Sequence, residues 1–175
     1  MSDELLVVRC QLGERGAFAE LVGTWHGAVE RYVGRMLGGP DDDVVQEVWL
    51  AVFRGLPRLR RPERFAPWLF TIARRAVVNR LRDEYARPEP VPGPEGAGPE
   101  GRDEADDVLD REVVAEALGA LPVREREVLM LFYLEDLSVE ACAQVCGVPV
   151  GTVKSRLDRA RGLMRSELAR KGYGA

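Results

Sequence analysis

From Asp3 onward the apolar residues recur every three or four positions, the period of one helix face. Phe18, Leu21, Val22, Trp25, Val29, Tyr32, Val33 and Met36 keep that rhythm and predict one or two helices over residues 3–37. Gly38-Gly39-Pro40 breaks it, and Asp41-Asp42-Asp43 opens the next helix, where carboxylates cap free N–H groups and offset the macrodipole. That helix predicts an inward face of Val44, Val45, Val48, Trp49, Val52, Phe53 and Leu56, with Gln46, Glu47 and Leu50 turned the other way. Pro57 ends it. A further helix is expected from Pro67 to Tyr85, burying Leu69, Phe70, Ala73, Ala76, Val77 and Leu81 while Arg74, Arg75, Asn79 and Arg82 project elsewhere.

The rhythm then stops. Residues 87–106, RPEPVPGPEGAGPEGRDEAD, carry Pro, Gly and acids with almost nothing to bury, the composition of a flexible linker. Helical patterning resumes from Val108 to Ala120, pauses at Leu121-Pro122, and continues through VREREVLMLFYLE with Val128, Leu129, Leu131, Phe132 and Leu134 inward. Val139, Cys142, Ala143 and Cys146 form a short helix that Gly147 stops, and after Pro149 a longer one begins at Thr152 with Val153, Leu157, Ala160, Met164 and Leu168 inward. The expected fold is all-α. Two small helical domains, residues 1–86 and 108–175, flank an acidic linker at 87–107, and the second is a four-helix domain with a helix-turn-helix.

Small Ala143, turn Gly147 and branched Val153 fall where a helix-turn-helix needs close crossing, positive φ and a packed anchor. Opposite the apolar stripe of the last helix lie Thr152, Ser155, Arg156 and Arg159, flanked by Lys154, Arg161 and Arg165. Short hydroxyls and guanidiniums near a helix N-terminus suit base edges in a major groove, with further cations for phosphates. A solvated basic face on a plain helical hairpin is the alternative.

The net charge of −4 argues against a nucleic-acid partner until it is divided along the chain. Residues 54–82 hold nine Arg against Glu63, a net of +8. Residues 149–175 hold five Arg and two Lys against Asp158 and Glu167, a net of +5, whereas residues 87–110 hold two Arg against eight acids, a net of −6. Two basic blocks separated by an acidic one outweigh the sum. The first block includes RLRRPERFAPW, where Phe65 and Trp68 interleave with arginines as in surfaces that stack unpaired bases and track their backbone. Core packing is the alternative for both rings, and for Trp68 the two readings are equally favoured. Leu50 beside acids on an outward face suggests an apolar anchor in a protein-docking rim, or a routine amphipathic helix.

No apolar run approaches the ~20 residues of a membrane span, and the N-terminus lacks a signal-peptide pattern. Three cysteines without metal-ligand spacing fit a reducing cytoplasm, with Cys142 and Cys146 as small core residues. His26 is the only histidine and has no second ligand beside it, so a surface or partly packed role is expected. Neither metal nor cofactor is expected.

Three stretches together resemble the extracytoplasmic-function group of bacterial RNA polymerase sigma factors: DDDVVQEVWLAVFRGL at 41–56, FAPWLFTIARRAVVNRLRD at 65–83, and LPVREREVLMLFYLEDLSVEACAQVCGVPVGTVKSRLDRAR at 121–161. The resemblance implies that Asp43, Gln46, Glu47 and Leu50 dock on the coiled coil of the polymerase β′ clamp. It also implies minus-ten promoter recognition by Phe65, Trp68, Arg74, Arg75, Asn79 and Arg82. Minus-thirty-five recognition would fall to Thr152, Lys154, Ser155, Arg156 and Arg159. Core polymerase, including its β subunit, and promoter DNA are the implied partners, with an anti-sigma factor as a family-level expectation. Arg75 and Asn79 stand where the family typically has Asn and Asp, a departure that bears on minus-ten preference. No further domain is expected after Ala175.

A stand-alone helix-turn-helix regulator of the response-regulator type would need a receiver domain with alternating strands, and residues 1–86 show only helical periodicity. A serine recombinase would need a catalytic serine, and the only serine before the linker is Ser2. The expected role is therefore a non-enzymatic, cytoplasmic initiation factor.

Overall fold

The computed structural model describes residues 3–86 and 105–173, with side chains of 105–110 left aside. They divide into two compact units, residues 3–86 and residues 105–173, except that Gln144–Cys146 group with the first. The linker expected at 87–107 lies outside the described residues up to position 104. Its last three positions are already helical.

The first unit contains α1 (Asp3–Gln11), α2 (Ala17–Leu37), α3 (Asp42–Gly55) and α4 (Phe65–Ala86), with 3-10 turns at Leu56–Arg58 and Pro62–Arg64 between the last two. Asp41 caps α3, its carboxylate accepting from the Val44 N–H at 3.0 Å. The core is aromatic at its centre. Tyr32, Phe65 and Phe70 are fully enclosed, and Trp25 meets Phe65 and Phe70 edge-on at 5.9 and 6.2 Å while Tyr32 meets Phe70 at 5.5 Å. Such edge-to-face pairs add about 0.5–1.5 kcal/mol each beyond their area.

The second unit contains α5 (Ala105–Ala120), α6 (Val123–Leu129), a π-helical turn at Met130–Leu134, α7 (Val139–Cys146) and α8 (Val150–Arg170). The expected single helix over 123–135 is therefore interrupted. The extra residue in a π turn shifts the helical phase, so Met130 joins the core and Leu134, expected inside, is 40% exposed. Leu118, Leu121, Leu129 and Ala160 form a tight cluster on which Leu163 and Met164 lie.

Ser138 caps α7 by accepting from the Ala141 N–H at 3.1 Å, and Gly147 ends it at φ 66°, a left-handed conformation that only glycine adopts without strain. Pro149 is the N-cap of α8, which starts at Val150, two residues before the expected Thr152. Ala143 and Val153 are buried as a helix-turn-helix requires.

Candidate functional site

On α3 the inward and outward positions separate cleanly. Val44, Val45, Val48, Trp49 and Val52 are buried, while Asp43, Gln46, Glu47 and Leu50 are all exposed. Phe53 departs from expectation. It stands at the edge of the apolar face, is 61% exposed, and meets Phe18 edge-on at 5.1 Å. Leu50 and Phe53 thus lie one turn apart on the outer surface, beyond Asp43, Gln46 and Glu47.

The orientation of α3 is set by polar ties on its other sides. Trp49 Nε1–H donates to His26 Nδ1 at 3.1 Å. That leaves the proton on Nε2, which faces Glu30 at 3.2 Å. Partly exposed His26 is thus a positioning contact for Trp49. At the N-terminus, Asp41 accepts from Arg80 Nε of α4 at 2.9 Å as well as from Val44. Partial burial works against this carboxylate. The Val44 N–H and the Arg80 guanidinium outweigh it and hold the group below its ordinary value.

Along α4 the candidate residues part company. Trp68, Arg75 and Arg82 follow seven-residue spacing, Asn79 lies four residues after Arg75, and all four fall on one face. Arg75, Asn79 and Arg82 are exposed, and Trp68 is half-buried. Arg74 is half-buried and lies on a flank of that stripe. Phe65 needs correction: at 1% exposure, closed in by Trp25 and Trp68, its ring has no face for a base. Aromatic and basic residues alternate in this segment, and such alternation does not say which way a ring points.

Trp68 lies across Gly55, at the end of α3, so closely that a Cβ there would come 2.8 Å from Trp68 Cζ2. Glycine at this position admits the ring.

Between α3 and α4 the backbone turns twice and exposes Arg58 and Arg60, which have no ion pair among the described residues. With Gln11, Pro57 and Leu59 they line an open cleft of about 520 Å³. Gln11 Nε2 donates to the carbonyls of Leu56 at 3.0 Å and Leu59 at 2.8 Å. None of these three polar residues was singled out from sequence. The arginines sat in a recognisably basic loop, but nothing near Gln11 signals contacts 45 and 48 residues away.

In the second unit, Lys154, Ser155 and Arg159 are exposed, and Thr152 and Arg156 are half-buried. The Ser155 hydroxyl donates to Thr152 O at 3.0 Å. Arg159 Nε lies 3.6 Å from a carboxylate oxygen of Glu125, whose side chain is only 10% exposed. Arg161 is partly engaged, donating to the Tyr133 hydroxyl at 2.9 Å and to Asp158 at 2.6 Å.

Cys142 is enclosed, and burial, the leading cause, pushes its thiol up to about 11, so thiolate chemistry is suppressed. No group of three His, Cys, Asp or Glu suited to a metal occurs among the described residues. No helix among them is long and apolar enough to cross a membrane.

The sequence matches the model of Sigma-70 region 2 over residues 21–87 and that of Sigma-70 region 4 over residues 111–164. It is 32% identical over 174 residues to the ECF RNA polymerase sigma-E factor of Escherichia coli, covering 92% of this chain and 91% of the relative. Among solved structures it is similar to CnrH in complex with the cytosolic domain of CnrY, with a TM-score of 0.65 and 30% identity over 96% of this chain and 97% of the other. It also shares its fold with the sigma factor RpoE from Bartonella quintana, solved with the anti-sigma factor NepR. There the TM-score is 0.65 at 22% identity, covering 88% and 98% of the two chains.

Proposed function

The chain belongs to the extracytoplasmic-function sigma factors of the sigma-70 family, and we propose that three separate surfaces divide its task of directing promoter-specific initiation by core RNA polymerase. Asp43, Gln46, Glu47 and Leu50 dock on the β′ clamp coiled coil. Trp68, Arg75, Asn79 and Arg82 hold the melted minus-ten strand, with Arg74 on their flank and Phe65 beneath them as support. Thr152, Lys154, Ser155, Arg156 and Arg159 read the minus-thirty-five duplex.

One observation carries the docking assignment: all four outward residues of α3 are exposed while its opposite face is buried. An apolar centre within a polar rim is the layout of a protein interface. The exposed groups of α8 support the duplex assignment, because its N-terminal end offers hydroxyl and guanidinium donors where a recognition helix enters the major groove. Residues 1–86, 87–107 and 108–175 serve as docking and minus-ten domain, connector, and minus-thirty-five domain.

RNA synthesis is the polymerase's chemistry. The sigma factor supplies contacts that add through effective concentration, because two weak DNA-binding surfaces are carried by one polymerase. Extruding a base opposes stacking by a few kcal/mol, and a cationic strand-binding face offsets that once the polymerase holds the DNA. The work is cytoplasmic, where polymerase and chromosome meet. A protein inhibitor of the anti-sigma kind would act by covering the same exposed faces.

The deciding experiment is in-vitro transcription with purified bacterial core polymerase and fragments of the source genome. Discrete transcripts are expected from the wild type, and Gln46→Lys with Glu47→Lys abolishes them while leaving DNA binding by the free protein unchanged. Transcripts that persist at wild-type level after this charge reversal would overturn the docking assignment.

A further inference from the structure

We propose that Gln11 is a positioning residue for minus-ten selection, holding the basic turn between α3 and α4 in the shape that accepts an unstacked nucleotide. The inference rests on reading that turn and α4 as the single-strand surface.

Gln11 is the last residue of α1, far from the turn in sequence. Both of its amide contacts go to backbone carbonyls of one short segment, Leu56 and Leu59. The Leu56 carbonyl also accepts from the Leu59 N–H at 3.1 Å, so the 3-10 turn is closed from within and from outside. Peptide groups are planar. Fixing the Leu56 carbonyl fixes the plane leading into Pro57, and fixing the Leu59 carbonyl fixes the plane leading into Arg60. Gln11 therefore sets the directions from which Arg58 and Arg60 leave the backbone, and all three residues line the same cleft of about 520 Å³.

The end of α1 that carries Gln11 is itself fixed. Arg9 bridges Glu14 at 2.5 Å and Glu20 at 2.9 Å, tying the last turn of α1 to the start of α2. A leucine at position 11 would fill the space but donate nothing to the two carbonyls. The amide defines a conformation as well as a packing volume.

The cleft's chemistry suits one nucleotide of a single strand. Arg58 and Arg60 are exposed cations with no ion pair among the described residues, Pro57 and Leu59 give apolar surface, and fixed backbone edges can discriminate a base. Phosphate contacts position a strand whereas contacts to the base specify it. The arginines should thus govern how tightly any strand is held, and Gln11, through the turn, which base is preferred.

The test uses core polymerase charged with the full-length protein and a template pool. The pool keeps the upstream half of a promoter that the wild type uses and randomises its minus-ten region; run-off transcripts are sequenced. Gln11→Glu, of the same shape but without donors, and Gln11→Leu should flatten base preference by about tenfold at one or more positions. Gln11→Lys, which keeps a donor of similar reach, should retain the preference. Arg58→Ala and Arg60→Ala should lower yield across all sequences alike and leave the preference profile unchanged.

Unchanged preference in Gln11→Glu and Gln11→Leu, with the arginine variants still deficient, would overturn the role of Gln11 and leave the strand-binding reading standing. Arginine variants with wild-type yield would overturn that reading and the inference with it. Core-polymerase affinity is measured for each variant. If all three Gln11 variants lose it, Gln11 has a purely structural role and the inference fails.

Discussion

The two units carry their proposed DNA contacts on differently built supports. In the α7–α8 pair the proposed reading groups stand on one continuous helix, which follows a short turn with a glycine at φ 66°. In the α1–α4 unit they stand on a helix face and an irregular turn, both fixed by long-range ties. Gln11 holds Leu56 and Leu59, Asp41 joins Arg80, and Trp68 lies on Gly55. The cores differ in kind, one enclosing the rings of Tyr32, Phe65 and Phe70, the other the aliphatic and thioether side chains of Met130, Leu131, Val153 and Leu157. A duplex reader needs a rigid rod that fits a regular groove. A surface that captures a melted strand has no regular template to fit, so its shape must be fixed from within.

The most severe break in that contrast is Phe65→Ala. Removing an enclosed aromatic ring should lower stability by about 3–5 kcal/mol, seen as a lower denaturation midpoint by circular dichroism. An unchanged midpoint together with defective promoter melting would return Phe65 to the base-stacking role that its burial denies. Gly55→Ala is the next step down. Its Cβ would meet Trp68 at 2.8 Å, and overpacking of this kind costs about 1–3 kcal/mol. Open-complex formation, followed by permanganate reactivity of unpaired thymines, should fall because Trp68 must shift. Unaltered reactivity would show that the ring's seat on α3 does not matter for melting.

The same contrast explains what could be read in the sequence. The helix-turn-helix was legible because its determinants are local: Ala143, Gly147 and Val153 lie within one short stretch, and Lys154, Ser155 and Arg159 of α8 are exposed while Thr152 and Arg156 are half-buried. The outward stripe of α3 was equally legible, since helical spacing alone separates Leu50 from Val48 and Trp49. Phe53 was misread, and Phe65 was left between base stacking and core, because each lies where a helix meets another element, and spacing within one helix does not decide such positions. The π turn at Met130–Leu134 has no short-range marker and rotated Leu134 outward. Gln11 was invisible because its partners are backbone carbonyls, which carry no side-chain identity to match.

A milder test concerns the tie between the docking helix and α4. Asp41→Ala removes an N-cap, typically worth about 1 kcal/mol, and also takes Asp41 from Arg80, which keeps Glu84 at 3.2 Å. The acid dependence has a definite sign. Because the folded-state pKa of Asp41 lies below its ordinary 3.8, its contribution is full above the unfolded value and disappears as pH falls through the folded one. Acid titrations of wild type and Asp41→Asn should therefore diverge above pH 3.8 and converge below it. Parallel curves throughout would show that the carboxylate charge contributes nothing beyond its hydrogen bonds.

The smallest effect probes whether α8 is as self-sufficient as the contrast requires. Among the described residues, Arg159 is the proposed duplex contact that pairs with a carboxylate, Glu125 at 3.6 Å, and its own side chain remains 70% exposed. With the guanidinium that exposed and that far from the carboxylate, the pair contributes about 1 kcal/mol at most, so Glu125→Gln should raise low-salt affinity for duplex DNA by no more than about 5-fold. The gain should fade as salt rises, because the removed carboxylate acts only through a screened charge. Arg159→Ala should instead weaken binding by about 1–3 kcal/mol at one promoter position and relax selectivity there. Fluorescence anisotropy on a minus-thirty-five duplex across a salt series separates the two outcomes. If Glu125→Gln relaxed selectivity as Arg159→Ala does, the buried carboxylate would be aiming the guanidinium, and α8 would depend on an internal tie as much as the turn held by Gln11 does.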